Sequence, residues 1–134
     1  MNDFIIKDLS QRLPYNVKVE FKNEIYILRA IHATGMVVLN HTESKQIKTT
    51  QIENIKPYLI PLSNITEEQR SKLQDVVKGQ RFSKNGYFNI DRIWLDEMFD
   101  IMCLLNEWHI DYNFLIEKDC AHNALIKNIY EERG

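Results

Sequence analysis

The chain has 134 residues, 44% of them apolar and 27% charged, and a formal net charge of −2. That length can bury a core without disulfide staples, and the apolar fraction argues against a disordered chain. The slight negative charge argues against a protein built wholly around a nucleic-acid backbone. Residues 1–60 carry eight Lys/Arg against six Asp/Glu, and residues 61–134 carry nine against thirteen, an asymmetry too mild to name a partner. Two cysteines, an opening MNDFIIKDLS with no basic start and apolar run, and no apolar stretch of spanning length point to reduced thiols, a cytoplasmic location and no membrane partner.

In chain order, residues 3–13 are expected to form a short helix. Asp3 can cap it, Phe4, Ile5, Leu9 and Leu13 recur at helical spacing, and Pro14 marks the stop. Val17, Val19 and Phe21 then alternate with Lys18, Glu20 and Lys22, the period of a half-buried strand. A tight turn over Lys22-Asn23-Glu24 leads into a second strand, Ile25 to His32, rich in β-branched and aromatic residues. Gly35 breaks that run, Met36 to Leu39 resumes it, and the polar segment 40–45 turns the chain into a fourth strand, Gln46 to Thr50. Residues 52–55 read as one helical turn, and Lys56 to Ile60 as a fifth strand with Pro57 on an edge, where its missing N–H does no harm. This pattern fits a five-stranded barrel of the Src-homology or Tudor kind, or a small antiparallel sheet packed against helices.

Pro61 and Ser63 open a linker, and Thr66-Glu67-Glu68-Gln69 is a capping box starting a helix to Lys78, with Gly79 as its left-handed stop. Asn85-Gly86 signals a hairpin within residues 81–89. A longer helix from Asp91 to Trp108 follows, with an apolar stripe of Trp94, Met98, Ile101, Leu105 and Trp108, continuous with Ile90 before it. Ile93, Leu95, Phe99, Met102 and Leu104 widen that stripe, while Arg92, Asp96, Asp100 and Glu107 mark a narrow polar face. So apolar a helix needs cover on two sides, and the tail from Leu115 to Tyr130 is the expected second cover, ahead of a second copy of the chain. Asp111 is expected to cap a short helix through Glu117, and Ala121 to Tyr130 is either helical or extended. The fold class expected is α+β in a single domain, 1–134, with a short helix plus β-rich unit over 1–62 and a helical unit over 63–134.

Three stretches carry a resemblance. They are Leu13-Pro14-Tyr15 followed by Val17-Lys18-Val19, Ile55 to Ser63 (IKPYLIPLS), and Trp108-His109-Ile110-Asp111-Tyr112 with Leu115-Ile116-Glu117-Lys118. Together they resemble an uncharacterised family of small proteins carried by phages and prophages of Bacteroidetes bacteria, in order along nearly the whole chain. The resemblance implies a phage-associated origin and a bacterial host cell. It supplies no catalytic residues. The family pattern continues Glu-Lys-Gly into a strand-like tail, whereas this chain has Asp119 and Cys120 after Lys118.

Cys103, His109, Cys120 and His122 are zinc-type residues, but their spacing, C-x5-H-x10-C-x-H, does not match the short paired knuckles of structural sites, and neither a metal nor a cofactor is expected. Cys103 precedes His109 by six residues, too far for adjacent helical faces, and no serine elbow, phosphate loop or dinucleotide fingerprint occurs, so the chain is not expected to be an enzyme. Protein binding is the function expected, through aromatic anchors on the long helix, in a chain that is a monomer or a homodimer. The alternative is RNA or single-stranded DNA binding by a basic segment with interleaved rings. Its residues are Lys78, Arg81, Phe82, Lys84, Tyr87, Phe88 and Arg92, cations to follow a backbone and rings to stack on bases.

Overall fold

Alternation along the first strands builds the inner face of a sheet. In the computed structural model, which describes residues 2–77, 95–126, 129 and 130, helix α1 (Asn2–Arg12) runs into a 3-10 turn at Leu13–Tyr15. Strands β1 (Lys18–Phe21), β2 (Glu24–Ile31), β3 (Met36–His41), β4 (Ile47–Gln51) and β5 (Lys56–Pro61) follow, with a 3-10 turn at Ile52–Asn54 before β5. Lys22 and Asn23 both have positive φ, 52° and 66°, the geometry of the two-residue turn whose twist matches a hairpin, and Phe21 pairs with Glu24 across it. Gly35, at φ 95°, closes the turn between β2 and β3, where its N–H reaches the His32 carbonyl at 2.9 Å. Residues 14–60 are thus strand-dominated, as their alternation predicts.

The strand order is β4-β3-β2-β1-β5-β6, so the sheet is open: among the described residues no pairing closes β4 onto β5 into a barrel. Val19, Phe21, Tyr26, Leu28, Val37, Leu39 and Leu59 point to one face, where Ile5 and Leu9 of α1 cover them together with Leu115 and Ala121. β5 lies inside the sheet, which corrects the edge position expected for Pro57. Its rung with Val19 is the last to β1, and pairing passes to another strand at Tyr58.

Helices α2 (Glu67–Val77) and α3 (Leu95–Glu107) follow. The capping box forms in full, with Gln69 N–H on Thr66 Oγ1 and Thr66 N–H on Gln69 Oε1, both at 3.0 Å. The expected stop at Gly79, the hairpin of residues 81–89 and the first turn of the long helix lie outside the described residues. Beyond Trp108 the chain is not the helical unit expected. It forms the two-residue strands β6 (Ile110–Asp111) and β7 (His122–Asn123), joined by turns and followed by a 3-10 turn at Ala124–Ile126. The reason is local: His109, Phe114 and Asp119 adopt left-handed φ of 61°, 58° and 60°, each of which breaks a helix.

Asp111 is an acceptor, as expected, but it holds a turn rather than a helix. Its carboxylate takes the N–H groups of Leu115 and Ile116, each at 2.8 Å. The turn ends in a Schellman-type closure, Cys120 N–H to Leu115 O at 2.8 Å and Asp119 N–H to Ile116 O at 3.1 Å. Asp119, at φ 60°, takes the left-handed position that glycine most readily adopts.

The second core lies on the other face of β5. Tyr58 and Ile60 meet Leu73 of α2, Ile101, Leu105 and Trp108 of α3, then Ile110, Ala124 and Tyr130. The tail thus covers α3 in part. Ala124, Ile129 and Tyr130 reach the α3 core, whereas Leu115 joins the sheet core, and Leu125 and Ile126 stay exposed. Tyr130 also mends the sheet. The β1–β5 ladder runs Glu20↔Lys56 and Val19↔Pro57. At the next rung Lys18 N–H donates to the Tyr130 hydroxyl at 2.7 Å, and that hydroxyl donates to the Tyr58 carbonyl at 2.9 Å.

Tyr130→Phe removes both of those bonds from a buried position and is expected to cost about 1–3 kcal/mol in denaturant unfolding. Burial holds the Tyr130 phenol well above its ordinary pKa. Its stabilisation is complete below about pH 10, where an unfolded tyrosine is also neutral, and falls as pH rises further, because only the unfolded chain then releases the proton. Unfolding curves of Tyr130→Phe should therefore lose less stability between neutral and strongly alkaline pH than the parent does. At Asp119, valine should lower Tm by roughly 3–8 °C because a β-branched residue resists left-handed φ, while glycine should leave Tm unchanged or higher; calorimetry of the two variants checks this.

Candidate functional site

A groove forms where the end of α1 meets α3. Arg12 ends α1, Pro14 pre-sets the 3-10 turn, and Asn16 terminates it at φ 58° with its N–H on the Leu13 carbonyl. The turn presents Pro14 and Tyr15 opposite Phe99, Met102 and Cys103 of α3, around a depression of about 410 Å³ flanked by Gln11 and Asn106. Phe99 is 68% exposed at its rim. Hydrogen bonding to the Cys103 thiol, then burial, then the charges of Cys103 and Glu107, raise the Tyr15 pKa, so its hydroxyl is neutral at physiological pH.

A buried polar network fixes the two walls. Arg12 and Asp8 are both fully buried on α1 and paired at 2.7 and 3.2 Å. Asn113 donates to the same Asp8 carboxylate at 2.6 Å, and the Arg12 guanidinium lies 4.6 Å from the centre of the Tyr112 ring. The Tyr112 hydroxyl donates to Asn106 Oδ1 at 2.6 Å, with Gln11 Oε1 at 3.3 Å. Burial, and after it the carboxylates of Asp8 and Asp111, raise the Tyr112 pKa against the lowering effects of Arg12 and the Asn106 hydrogen bond. Through these contacts α1, α3 and the chain after β6 are tied together beside the groove.

The residues expected to carry nucleic-acid binding, Lys78, Arg81, Phe82, Lys84, Tyr87, Phe88 and Arg92, all lie outside the described residues. Of the long helix's rings, Trp94 lies outside them too, while Trp108 is buried and Phe99 is exposed. The four zinc-type residues have separate surroundings. Cys103 faces Tyr15, the His109 ring stacks on Tyr130 at 3.8 Å, His122 meets Glu20 at 2.9 Å, and the Cys120 thiol points to the Lys118 carbonyl. Among the described residues, no group of three or more His, Cys, Asp or Glu is placed to hold a metal ion. No helix among them is long and apolar enough to cross a membrane. Sequence reasoning missed the buried Asp8–Arg12 pair, although the signal was present: positions 5, 8, 9 and 12 are one helical stripe, and the stripe is the buried one.

Compared with known proteins, the chain matches no family model, and neither a curated protein nor a solved structure matches it.

Breaking the buried pair on one side strands a charge. Arg12→Met alone should cost about 3–5 kcal/mol, while Asp8→Leu with Arg12→Met should cost much less than the two single changes added. A double-mutant cycle in urea measures this; additive costs would mean that the two residues do not act as a unit.

Proposed function

We propose that this chain is a non-enzymatic protein-binding module, a phage- or prophage-type accessory protein of the bacterial cytoplasm, which holds its partner in the groove between the Leu13–Tyr15 turn and α3. The observation that carries this reading is Phe99, a ring 68% exposed at the rim of an apolar depression of about 410 Å³. Exposed aromatic rings beside a desolvated pocket are the usual anchors of interfaces. The partner's chemistry follows from the same patch. An apolar side chain fills the depression, and basic residues beside it meet the exposed Asp100 and Glu107 of α3. The phage assignment draws support from the resemblance of the IKPYLIPLS and Trp108-to-Lys118 stretches. The non-enzymatic reading draws support from Cys103, whose described neighbour is a tyrosine rather than a histidine base.

Phe99→Ser should leave thermal stability unchanged, because the ring is exposed, and should weaken capture of a partner from the host cell about tenfold or more. Co-purification with the parent and the variant, with the captured protein identified by mass spectrometry, checks it. Equal capture by both removes the groove from the interface. Retention on single-stranded DNA or RNA that falls steeply with salt would support the nucleic-acid alternative at Lys78, Arg81, Phe82, Lys84, Tyr87, Phe88 and Arg92 instead.

A further inference from the structure

The open sheet ends at β4, and among the described residues no strand pairs with its outer side. The ladder to β3 decides which backbone groups β4 presents there. His41 N–H bonds the Gln46 carbonyl at 2.8 Å before the strand, and Ile52 N–H bonds the Gly35 carbonyl at 2.7 Å after it. The register between them is continuous, from Asn40↔Ile47 to Met36↔Gln51. Opposed residues in an antiparallel ladder alternate between bonded and unbonded pairs. Lys48 and Thr50 therefore turn their N–H and C=O groups to β3, and Ile47, Thr49 and Gln51 turn theirs outward.

Nothing in the strand shields those outward groups. Ile47, Lys48, Thr49 and Gln51 are all exposed, Ile47 at 72%. Edge strands are commonly protected by proline, by a bulge or by charge. β4 has no proline, its ladder to β3 has no register shift, and Ile47, Thr49 and Thr50 are β-branched residues that favour strands. Its one charged residue is Lys48.

We propose that β4 pairs antiparallel with β4 of a second copy of this chain, about a twofold axis at Thr49. β4 itself sets the register. Centred on Thr49, the pairing places Thr49 opposite its mate and Ile47 opposite the partner's Gln51, so the outward groups of all three residues are used. Centred on Lys48 or on Thr50, it leaves one of those residues without a strand partner. The Lys48 centre also sets two ammonium groups directly opposite each other, which is destabilising. In the Thr49 register Lys48 faces the partner's Thr50, a neutral side chain, and the central Thr–Thr pair is a favourable one. The lysine thus disfavours competing registers and leaves this one open. A second copy fits better than a foreign strand because the edge complements itself in both hydrogen bonds and charge. Such an isologous contact uses the same edge twice and closes as a dimer rather than a fibre. Pairing through a five-residue strand buries less than the about 1,200 Å² of the smallest standard interfaces, so the dimer is a weak one.

Sedimentation velocity of the full chain from about 10 µM to about 1 mM tests the association, and hydrogen exchange followed by NMR locates it. The parent should pass from monomer to dimer over that range. Its Ile47, Thr49 and Gln51 amides should exchange at least about tenfold more slowly at the high concentration. Thr49→Pro removes an N–H that the ladder to β3 does not use, so the chain should fold while dimerisation weakens about tenfold or more. Thr50→Lys sets an ammonium opposite the partner's Lys48, and Thr50→Glu sets a carboxylate there. Both lose the Asn54 hydrogen bond to Thr50 Oγ1, so the comparison between them reads the charge, and the glutamate variant should dimerise at least about fivefold more tightly. Melting curves confirm folding, and if Thr49→Pro does not fold, the Thr50 pair decides. In a Cys103→Ser, Cys120→Ser background, oxidised glutathione should link Thr49→Cys into a dimer far faster than Ile47→Cys, whose mates this register holds well apart. A parent that stays monomeric at about 1 mM, a dimer indifferent to Thr49→Pro or to the charge at position 50, or equal linking of the two cysteine variants would each overturn the pairing. Phe99→Ser should dimerise as the parent does, so failure here and failure of the α3 groove are distinguishable.

Discussion

The burial of β5 on both faces is the constraint on which the rest of this molecule depends. Pro57, Tyr58, Leu59 and Ile60 are all buried, Leu59 in the core under the sheet and Tyr58 and Ile60 in the core under α3. An antiparallel sheet with one wet face needs one cover. A strand apolar on both faces needs two, and each large side chain so buried contributes about 1.5–3 kcal/mol relative to exposure. The second cover comes from everything after Pro61. Leu73 and Ile101 arrive on helices, and Ile110 and Ala124 on short segments that attach to β5 itself. The C-terminal half is thus organised around one strand of the N-terminal half.

β5 takes three partners in six residues. It is antiparallel to β1 at its start, parallel to β7 in the middle and parallel to β6 at its end. Two-residue strands supply few hydrogen bonds, so side chains hold them. Asp111 anchors the turn after β6, the His109 ring stacks on Tyr130, and Tyr130 joins β1 to β5 where their own ladder stops. This arrangement brings His122 to Glu20, residues 102 apart in sequence, and so makes a polar cavity where β1, β5 and β7 meet, lined in part by Glu20, Tyr58 and His122. The cavity is a consequence of how the tail is fastened.

Much of the N-terminal half was legible because its signals are local. The alternation at Val17, Val19 and Phe21, the Lys22-Asn23 turn, Gly35 and the Thr66–Gln69 box each depend on a few neighbouring residues, and each has its expected form. What could not be read is set by distance or by unusual backbone. Glu20 with His122, and Lys18 with Tyr130, are contacts that no spacing rule contains. The expected helix from Asp111 through Glu117 is broken at Phe114, which takes a left-handed φ of 58° that an aromatic residue does not signal. On α1, Phe4 shares the apolar spacing of Ile5 and Leu9 yet is 37% exposed, while the fully buried position one turn after Asp8 is the charged Arg12.

The buried polar groups of the described residues are committed to the fold. Catalysis needs a nucleophile or base within reach of its activating partner and still free to touch a substrate. Here the buried carboxylates have structural duties: Asp8 holds Arg12 and Asn113, and Asp111 holds two backbone N–H groups. Asn106 is spent on Tyr112 in the same way. Such groups stiffen the walls of a surface and leave the wall's outer side to determine what binds. At the α3 groove that outer side is a ring and a thioether, Phe99 and Met102, which select for apolar shape. At the β5 cavity it is a phenol, a carboxylate and an imidazole. The two recesses thus differ in chemistry, and each is fixed by side chains already committed to the fold. In general a polar recess discriminates more sharply than an apolar one, because a mismatched group there leaves buried hydrogen-bonding groups unpaired, a larger penalty than a poorly filled apolar pocket.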